Sequence, residues 1–500
     1  MAADWPARAH ATRKGVAVDQ LPAAVVILAA GAGTRMKSAL PKVLHSVAGR
    51  TLLGHAIAAG RQVNPSRLCV VVRHERDRVA ADALGFDDSV LIADQDETPG
   101  TGRAVQCALD RLAADGADLG GPIIVTAADT PMLDGGILAE LMRCHVDDGN
   151  AVTVLTTHLA NPTGYGRIVR ERGAVVGIVE EKDANEEQRA ITEVNAAVYV
   201  FDGAVLAEAL QGVGQDNAQG EVYLTDVVRL AHERGLRVAG VAVEDSWTVE
   251  GANDKVQLAA LAKEMNRRIV EDWMREGVTV IDPATTWIDV DVELAPDVTI
   301  LPGVQLHGAC RVETGATIGP DTTLTDVEVG EGATVIRTHG SLAVIGPRAA
   351  IGPFAYLRPG TYVGEGGRLG AFVETRNATI GAGAAVPHLS YVADAEIGAG
   401  TRIGAGTVFV NHDGVRMHHT TVGAHCQIGS GTLFVAPVTV GDGVYTGAGT
   451  TVRRDVPPGA LAVNSTSQRI IEGWVERSRP ETSAADAAAA AQADATGRDA

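Results

Sequence analysis

The sequence predicts two architectures in one chain: a mostly parallel α/β sheet over its first half and a parallel β-helix of hexapeptide repeats over its second. Three observations predict them. Aliphatic residues recur every six positions from about 288 to 456, most of them followed by glycine or another small residue. Before position 253, short apolar runs alternate with helical patterns. Between the two regions, residues 253–276 are polar, helix-forming and free of Gly and Pro, which suits one amphipathic connecting helix.

The repeat is clearest at Ile345, Ile351, Leu357, Val363 and Leu369; it slips and resumes at Ile380, Val386 and Val392, at Ile397 and Ile403, and at Val422, Ile428, Phe434 and Val440. A period of six is neither helical nor simple strand alternation, and it marks a triangular coil with one repeat per face. The aliphatic residue points into the prism and the small residue after it lets the chain turn the corner. Residues about 18 apart then stack one above the other at strand spacing, roughly 4.8 Å. Such rods associate side by side, so a homotrimer is the expected assembly; a purely structural spacer is the other reading of the rod alone.

The totals narrow the function. Five hundred residues exceed one core, and five segments are expected: 1–22 an extension, 23–252 the α/β domain, 253–276 the helix, 277–478 the rod and 479–500 a disordered Ala- and Asp-rich tail. A formal charge of −20 argues against nucleic-acid or anionic-membrane partners. The five scattered cysteines lack CxxC spacing and suit a reducing cytoplasm. No apolar run is long enough to span a bilayer, and no apolar core follows the basic residues of 1–22 as a signal peptide requires.

In the first half, residues 24–29 form a continuous apolar run, as in a buried parallel strand, ending in Ala30-Gly31-Ala32-Gly33-Thr34-Arg35-Met36-Lys37 with a helical pattern from Pro41. Further strands are expected at 68–72, 123–126, 151–156, 196–201 and 237–243, with helices at 51–62, 102–114 and 227–234. Ligands in such folds lie at the carboxyl ends of the strands, so loop 31–42 is a candidate nucleotide site, with Arg35, Lys37 and Lys42 supplying charge. Met36 stands where a dinucleotide fingerprint or a P-loop needs glycine. A tight strand–helix turn remains the alternative.

Leu28-Ala29-Ala30-Gly31-Ala32-Gly33-Thr34-Arg35-Met36, followed by Leu40-Pro41-Lys42-Val43-Leu44, resembles the signature of sugar-1-phosphate nucleotidyltransferases. Joined to a hexapeptide rod, it resembles one family over about residues 24–477: the bifunctional N-acetylglucosamine-1-phosphate uridyltransferase/glucosamine-1-phosphate acetyltransferases. The resemblance implies a Rossmann-like domain, a left-handed rod, UTP and acetyl-CoA as substrates, Mg²⁺, and a UDP-sugar product for cell-wall polymers. It implies that Leu28, Ala29, Ala30, Gly31, Gln95, Gly100, Thr101, Ala127 and Ala128 meet the nucleotide. Asp129 and Asn253 would bind the metal, Arg35 and Lys42 the phosphates, and Gly166, Glu180 and Asn195 the sugar. Read singly, Asp129 could be a helix cap, Glu180 a solvated strand end and Asn195 a turn residue. Ala128 stands where the family has glycine, and its methyl is expected to crowd the nucleotide slightly.

On the rod, Arg358 and Arg376 are 18 residues apart and should stack, which makes a phosphate clamp or a solvated pair beside Glu365 and Glu374. The resemblance implies His388 as general base, since an imidazole titrates near neutrality. It implies that Glu374, Tyr391 and Arg402 meet the amino sugar, and that Asn411, His412, Ser430, Ala448 and Ser465 meet acetyl-CoA. This chain departs from the family at Arg376 (Lys there), Arg402 (Asn), His412 (Tyr), Met417 (Lys) and Ser465 (Arg). His412, His418, His419, His425 and Cys426 fit no standard metal spacing; a mobile basic loop is the other explanation. A uridyltransferase whose rod only holds the trimer together is the alternative function, and a scaffold with two vestigial sites is the non-enzymatic one.

Overall fold

A computed structural model describes residues 20–464 and 468–496; the extension at 1–19 and Ser465 lie outside the described residues. The chain divides into two compact units, Met1–Asn377 and Ala378–Ala500. The α/β domain, the connecting helix and the first coils of the rod therefore share one unit, although composition places a boundary near 252.

In the first unit, β1 (Ala24–Leu28) leads through 3-10 turns at Thr34–Met36 and Lys42–Leu44 into a hairpin of β2 (Ser46–Val47) and β3 (Arg50–Thr51), and only then into α1 (Leu52–Gln62). This corrects the helix expected from Pro41. His45 has extended backbone and stops the turn, and Thr51 caps α1 by accepting from the Gly54 N–H. There follow β4 (Leu68–Val72), α2 (Arg76–Phe86), β5 (Leu91–Asp94), α3 (Thr101–Ala114), β6 (Pro122–Ala127), α4 (Gly135–Asp147) and β7 (Val152–His158). Next come β8 (Arg167–Glu171), β9 (Ala174–Val179), α5 (Glu186–Arg189), β10 (Glu193–Asp202), α6 (Gly203–Gln211), α7 (Asp226–Glu233), β11 (Val238–Val243) and α8 (Lys255–Arg275).

The sheet runs β11-β7-β10-β6-β1-β4-β5, with the β8–β9 hairpin attached to β10. β1 is parallel to β4 and β6, while β10 is antiparallel to β6 and β7. Val25 and Ile27 face a core with Leu53, Ile57, Leu138 and Leu141; Ala24 and Val26 face another with Val105, Leu109 and Leu206. Burial on both faces explains why β1 reads as a continuous apolar run. The chain leaves β1 towards β4 and returns beside it as β6, so the order reverses beyond Leu28 and Ala127, where a ligand crevice belongs.

Asp254 caps α8 by accepting from the Val256 and Gln257 N–H groups. Leu261 and Met265 on its inner face join a core with Met36, Val47, Leu52 and Ala252, whereas Val256 is 79% exposed. Short strands then stack from Thr279–Val280 onward, Trp287 against Gln305 and Glu293 against Arg311. Ile288, Leu294, Ile300, Leu306, Val312 and Ile318 are each 7% exposed or less, so the six-residue period is the inward face of the coil. In the second unit, Val386, Val392, Ile403, Val422, Phe434 and Val440 are inward. There Ala395 pairs with Thr420 and Val408 with Leu433, and the extra chain between them forms a loop around His412–Met417. Both stretches are left-handed parallel β-helix.

Within the tail expected to be disordered, the described residues 483–496 are helical. α9 (Trp474–Ser478) is followed by α10 (Ser483–Thr496), because alanine is the strongest helix former. Among the described residues no helix is long and apolar enough to cross a membrane.

Candidate active sites

The loop after β1 meets the turn after β6 and the start of α8 at the crevice. The Lys42 ammonium donates to Asp129 Oδ2 at 2.5 Å and to Asn253 Oδ1 at 3.3 Å, and Arg35 donates to the same amide oxygen at 2.8 Å. Residues separated by up to 218 positions thus form one cluster. Gly33 has φ +58°, and a Cβ there would lie 2.5 Å from the Lys42 Cβ; glycine at this position admits the lysine. Gly31 instead faces open space. Asp129 is not the cap of α4: that role falls to Asp134, which accepts from the Ile137 N–H. A Cβ at Gly251 would sit 3.2 Å from Asp129 Oδ2, so the missing side chain leaves room at the carboxylate. Ala128 is 1% exposed and packed in the core. Its N–H is held by the Leu28 carbonyl.

The segment from Gln95 to Thr101 is shaped by its own side chains. Gln95 Nε2 donates to the Thr98 and Gly100 carbonyls, and Thr101 Oγ1 accepts from the Leu224 N–H. Gly100 has φ +120°, and a Cβ there would lie 2.3 Å from the Val222 carbonyl oxygen. Gly100→Ala adds left-handed strain and an overpacked contact, and is expected to cost ~2–5 kcal/mol of stability. Urea unfolding of the purified variant checks this.

Gly166, Glu180 and Asn195 come together from three different strands or strand ends. A Cβ at Gly166 would lie 3.5 Å from Glu180 Oε2 and 3.6 Å from the Asn195 Cβ. Asn195 bonds Tyr199 and the Ala197 N–H across an irregularity of β10, so it is a strand residue and not a turn residue. Burial raises the Glu180 pKa, opposed by a hydrogen bond from Thr225. Thr225 was no candidate from sequence; only its place beside Asp226 in Tyr223-Leu224-Thr225-Asp226 could have signalled it. Burial also raises the Tyr165 phenol, with the charges of Glu250 and Asp129 adding to it.

On the first unit's coils, Leu357 pairs with Thr375 and the Arg358 N–H donates to the Thr375 carbonyl. Arg358 and Arg376 therefore stand on adjacent coils, as the count of 18 predicts. Arg358 also donates to Glu374 Oε1 at 3.0 Å, so it is already ion-paired and not merely solvated. In the second unit, His388 is exposed at the end of the strand Ala385–His388, and Tyr391 and Arg402 lie on following strands, Arg402 exposed. Asn411 is 7% exposed and donates to Asp394 Oδ2 at 2.5 Å. Ser430 and Ala448 are both exposed on neighbouring coils, where the Gly449 N–H bonds the Ser430 carbonyl.

The loop after Asn411 closes on itself. His412 bridges Met417, and Asp413 accepts from the Val415 and Arg416 N–H groups and from His418 at 2.7 Å. Those contacts, the His418 bond first, hold the Asp413 carboxyl well below its ordinary range. Among the described residues no group of three or more His, Cys, Asp and Glu is placed to hold a metal.

Two classes of transferase are thus joined in one polypeptide. Residues 25–195 match the MobA-like NTP transferase domain, and residues 419–454 match the bacterial transferase hexapeptide family of six repeats. The chain is 59% identical over 477 residues to the bifunctional protein GlmU of Kineococcus radiotolerans, covering 95% of this chain and 96% of that one. It is 58% identical over 476 residues to the bifunctional protein GlmU of Rhodococcus jostii, covering 94% and 95%. The same figure holds over 468 residues for the bifunctional protein GlmU of Mycolicibacterium vanbaalenii, covering 93% and 94%. The chain belongs to the bifunctional GlmU family, and it is an enzyme with nucleotidyltransferase and acetyltransferase activities.

Proposed function

We propose that the cluster at the crevice performs uridylyl transfer and that Arg358, Arg376, Glu374, His388 and their neighbours perform acetyl transfer. The observation that supports the first reading best is the Lys42 ammonium held between the Asp129 carboxylate and the Asn253 amide oxygen. These hard oxygen donors already surround a cation, which is the donor set that suits Mg²⁺. Asp129 and Asn253 would hold it, and when bound it supplies charge neutralisation at the phosphates. Arg35 and Lys42 grip the pyrophosphate and α-phosphoryl oxygens of UTP. The segments at 28–31, 95–101 and 127–128 hold the base and ribose. Gly166, Glu180 and Asn195 orient N-acetylglucosamine-1-phosphate, so that its phosphate oxygen attacks the α-phosphorus in line while pyrophosphate leaves.

At the rod, Arg358 and Arg376 take the phosphate of glucosamine-1-phosphate, and Glu374, Tyr391 and Arg402 contact the amino sugar. His388 removes a proton from the amine as it attacks the thioester carbon of acetyl-CoA, and the coenzyme A thiolate leaves. Asn411, His412, Ser430 and Ala448 line the acetyl-CoA side. Acetylation comes first and its product feeds uridylyl transfer. The enzyme works as a homotrimer in the cytoplasm, which the hexapeptide coils and the reduced-thiol composition support. Purified protein given UTP, Mg²⁺ and N-acetylglucosamine-1-phosphate should form UDP-N-acetylglucosamine. Given acetyl-CoA and glucosamine-1-phosphate it should release coenzyme A, and light scattering should return three times the chain mass. Product in the first assay alone would select the reading in which the rod only assembles the trimer.

A further inference from the structure

We infer that Asp291, on the first coils of the rod, is a positioning residue for uridylyl transfer, acting through the β2–β3 hairpin on the phosphate-binding loop. This rests on the assignment of Arg35, Lys42, Asp129 and Asn253 to that reaction. The hairpin has a two-residue tip, Ala48 and Gly49, both with positive φ (+47° and +82°), as a tight I′-type turn requires. That tip docks on the rod. The Val290 N–H donates to the Ala48 carbonyl at 3.0 Å, and a Cβ at Gly49 would lie 2.5 Å from Asp289 Oδ2. Asp289 is itself fixed by the Gly308 N–H at 3.0 Å and by His307 at 3.3 Å. Beside the tip, Arg50 donates to Asp291 Oδ1 at 2.6 Å, the two side chains being 16% and 29% exposed. The Arg50 guanidinium also lies 5.2 Å from the Phe86 ring centroid.

The route from this clasp to the reacting groups is short. His45 separates the 3-10 turn holding Lys42 from the hairpin, and its carbonyl accepts from the Leu52 N–H at 3.0 Å. Val47 in β2 and Leu52 directly after β3 share one apolar cluster with Met36 and Ala252, against which Val290 also packs. Met36 is the neighbour of Arg35, and Ala252 the neighbour of Asn253. Both arms of the cation cluster are therefore backed by the same small core, and that core is pinned to the rod by Arg50–Asp291 and Ala48–Val290. An exposed ion pair is worth little, but this one is half-buried and joins positions 241 apart. What it fixes is the distance from Lys42 and Arg35 to their partners Asp129 and Asn253. A misplacement of about 1 Å at such a site costs on the order of a hundredfold in rate.

Asp291→Ala and Asp291→Glu in the full-length protein test this, with both half-reactions and thermal unfolding measured on each. Asp291→Ala is expected to lower kcat for uridylyl transfer about ten- to a hundredfold, with KM for N-acetylglucosamine-1-phosphate little changed. Acetyl transfer and the unfolding midpoint should stay near the parent values, and Asp291→Glu should restore most of kcat. Unchanged uridylyl transfer in Asp291→Ala overturns the inference. So does a loss shared equally by both activities, or one that tracks the unfolding midpoint, since a merely structural staple would behave that way. Absence of uridylyl transfer in the parent protein is a separate failure, that of the site assignment itself.

Discussion

Asp129→Ala is expected to lower UDP-sugar formation at least a thousandfold, about 4 kcal/mol of transition-state stabilisation, while acetyl transfer stays within about twofold of the parent. Two losses combine. The carboxylate is one of two oxygen donors fit for the metal, and it is the partner of Lys42 at 2.5 Å. Without it the lysine ammonium, 16% exposed, keeps only the Asn253 amide oxygen at 3.3 Å, and the charge that should meet phosphate is free to turn elsewhere. Asp129 stands in the turn after β6, whereas Glu374, Arg376 and His388 are on rod strands. Separate assays of the two half-reactions, with a thermal melt to show the variant folded, check the result. Equal loss of both activities in folded protein would falsify the division of labour.

His388→Ala is expected to reduce acetyl transfer about 10²- to 10⁴-fold, the usual contribution of a positioned general base, and to leave uridylyl transfer intact. The companion substitution Met417→Lys restores the residue that the family resemblance implies there and tests whether it meets the phosphate of glucosamine-1-phosphate. A charge-assisted contact is worth about 1.5–3 kcal/mol, or one to two decades in affinity. The gain should lie at the lower end, about tenfold in KM for glucosamine-1-phosphate, because Asp413 sits in the same closed loop and would compete for the new ammonium. Its carboxylate is partly committed already to His418 and to two backbone N–H groups, so it should not cancel the gain. Full acetyl transfer by His388→Ala, or no change of KM in Met417→Lys, would remove these residues from the site.

The features legible in the chain are those that repeat or that sit in a local pattern. The rod is the clearest case: each inward Ile, Leu or Val records its own burial, and the stacking of Arg358 beside Arg376 follows from counting alone. The strand preceding Asp129 is legible as a short apolar run because it is buried on both faces, Thr126 being its one polar residue. The order of residues from Leu28 to Leu44 carries the family. Two local inferences fail for physical reasons that also lie close to the chain. The pattern after Pro41 is too short to hold a helix against the extended His45 and the Ser46–Thr51 hairpin. The tail's low complexity suggests disorder, although its composition is also that of a strong helix former.

The candidates for both chemistries come from the resemblance to a known family, whereas the two architectures, the connecting helix and the inward face of the coils follow from the amino-acid order alone. These depend on periodicity and on neighbours within a few residues, which any one stretch of chain records. Only the folded molecule decides that Lys42 lies between Asp129 and Asn253, that Ala128 is packed in the core, that Arg358 is paired with Glu374, and that Asp413 closes the loop carrying His418. It alone joins Arg50 to Asp291, 241 positions apart. Such a contact has no period and needs no special residue type, because an arginine and an aspartate are ordinary surface residues until folding brings one against the other. The physical reason is that burial is a property of each residue in turn, whereas a functional contact is a property of two, and nothing in the chain between them records that they meet.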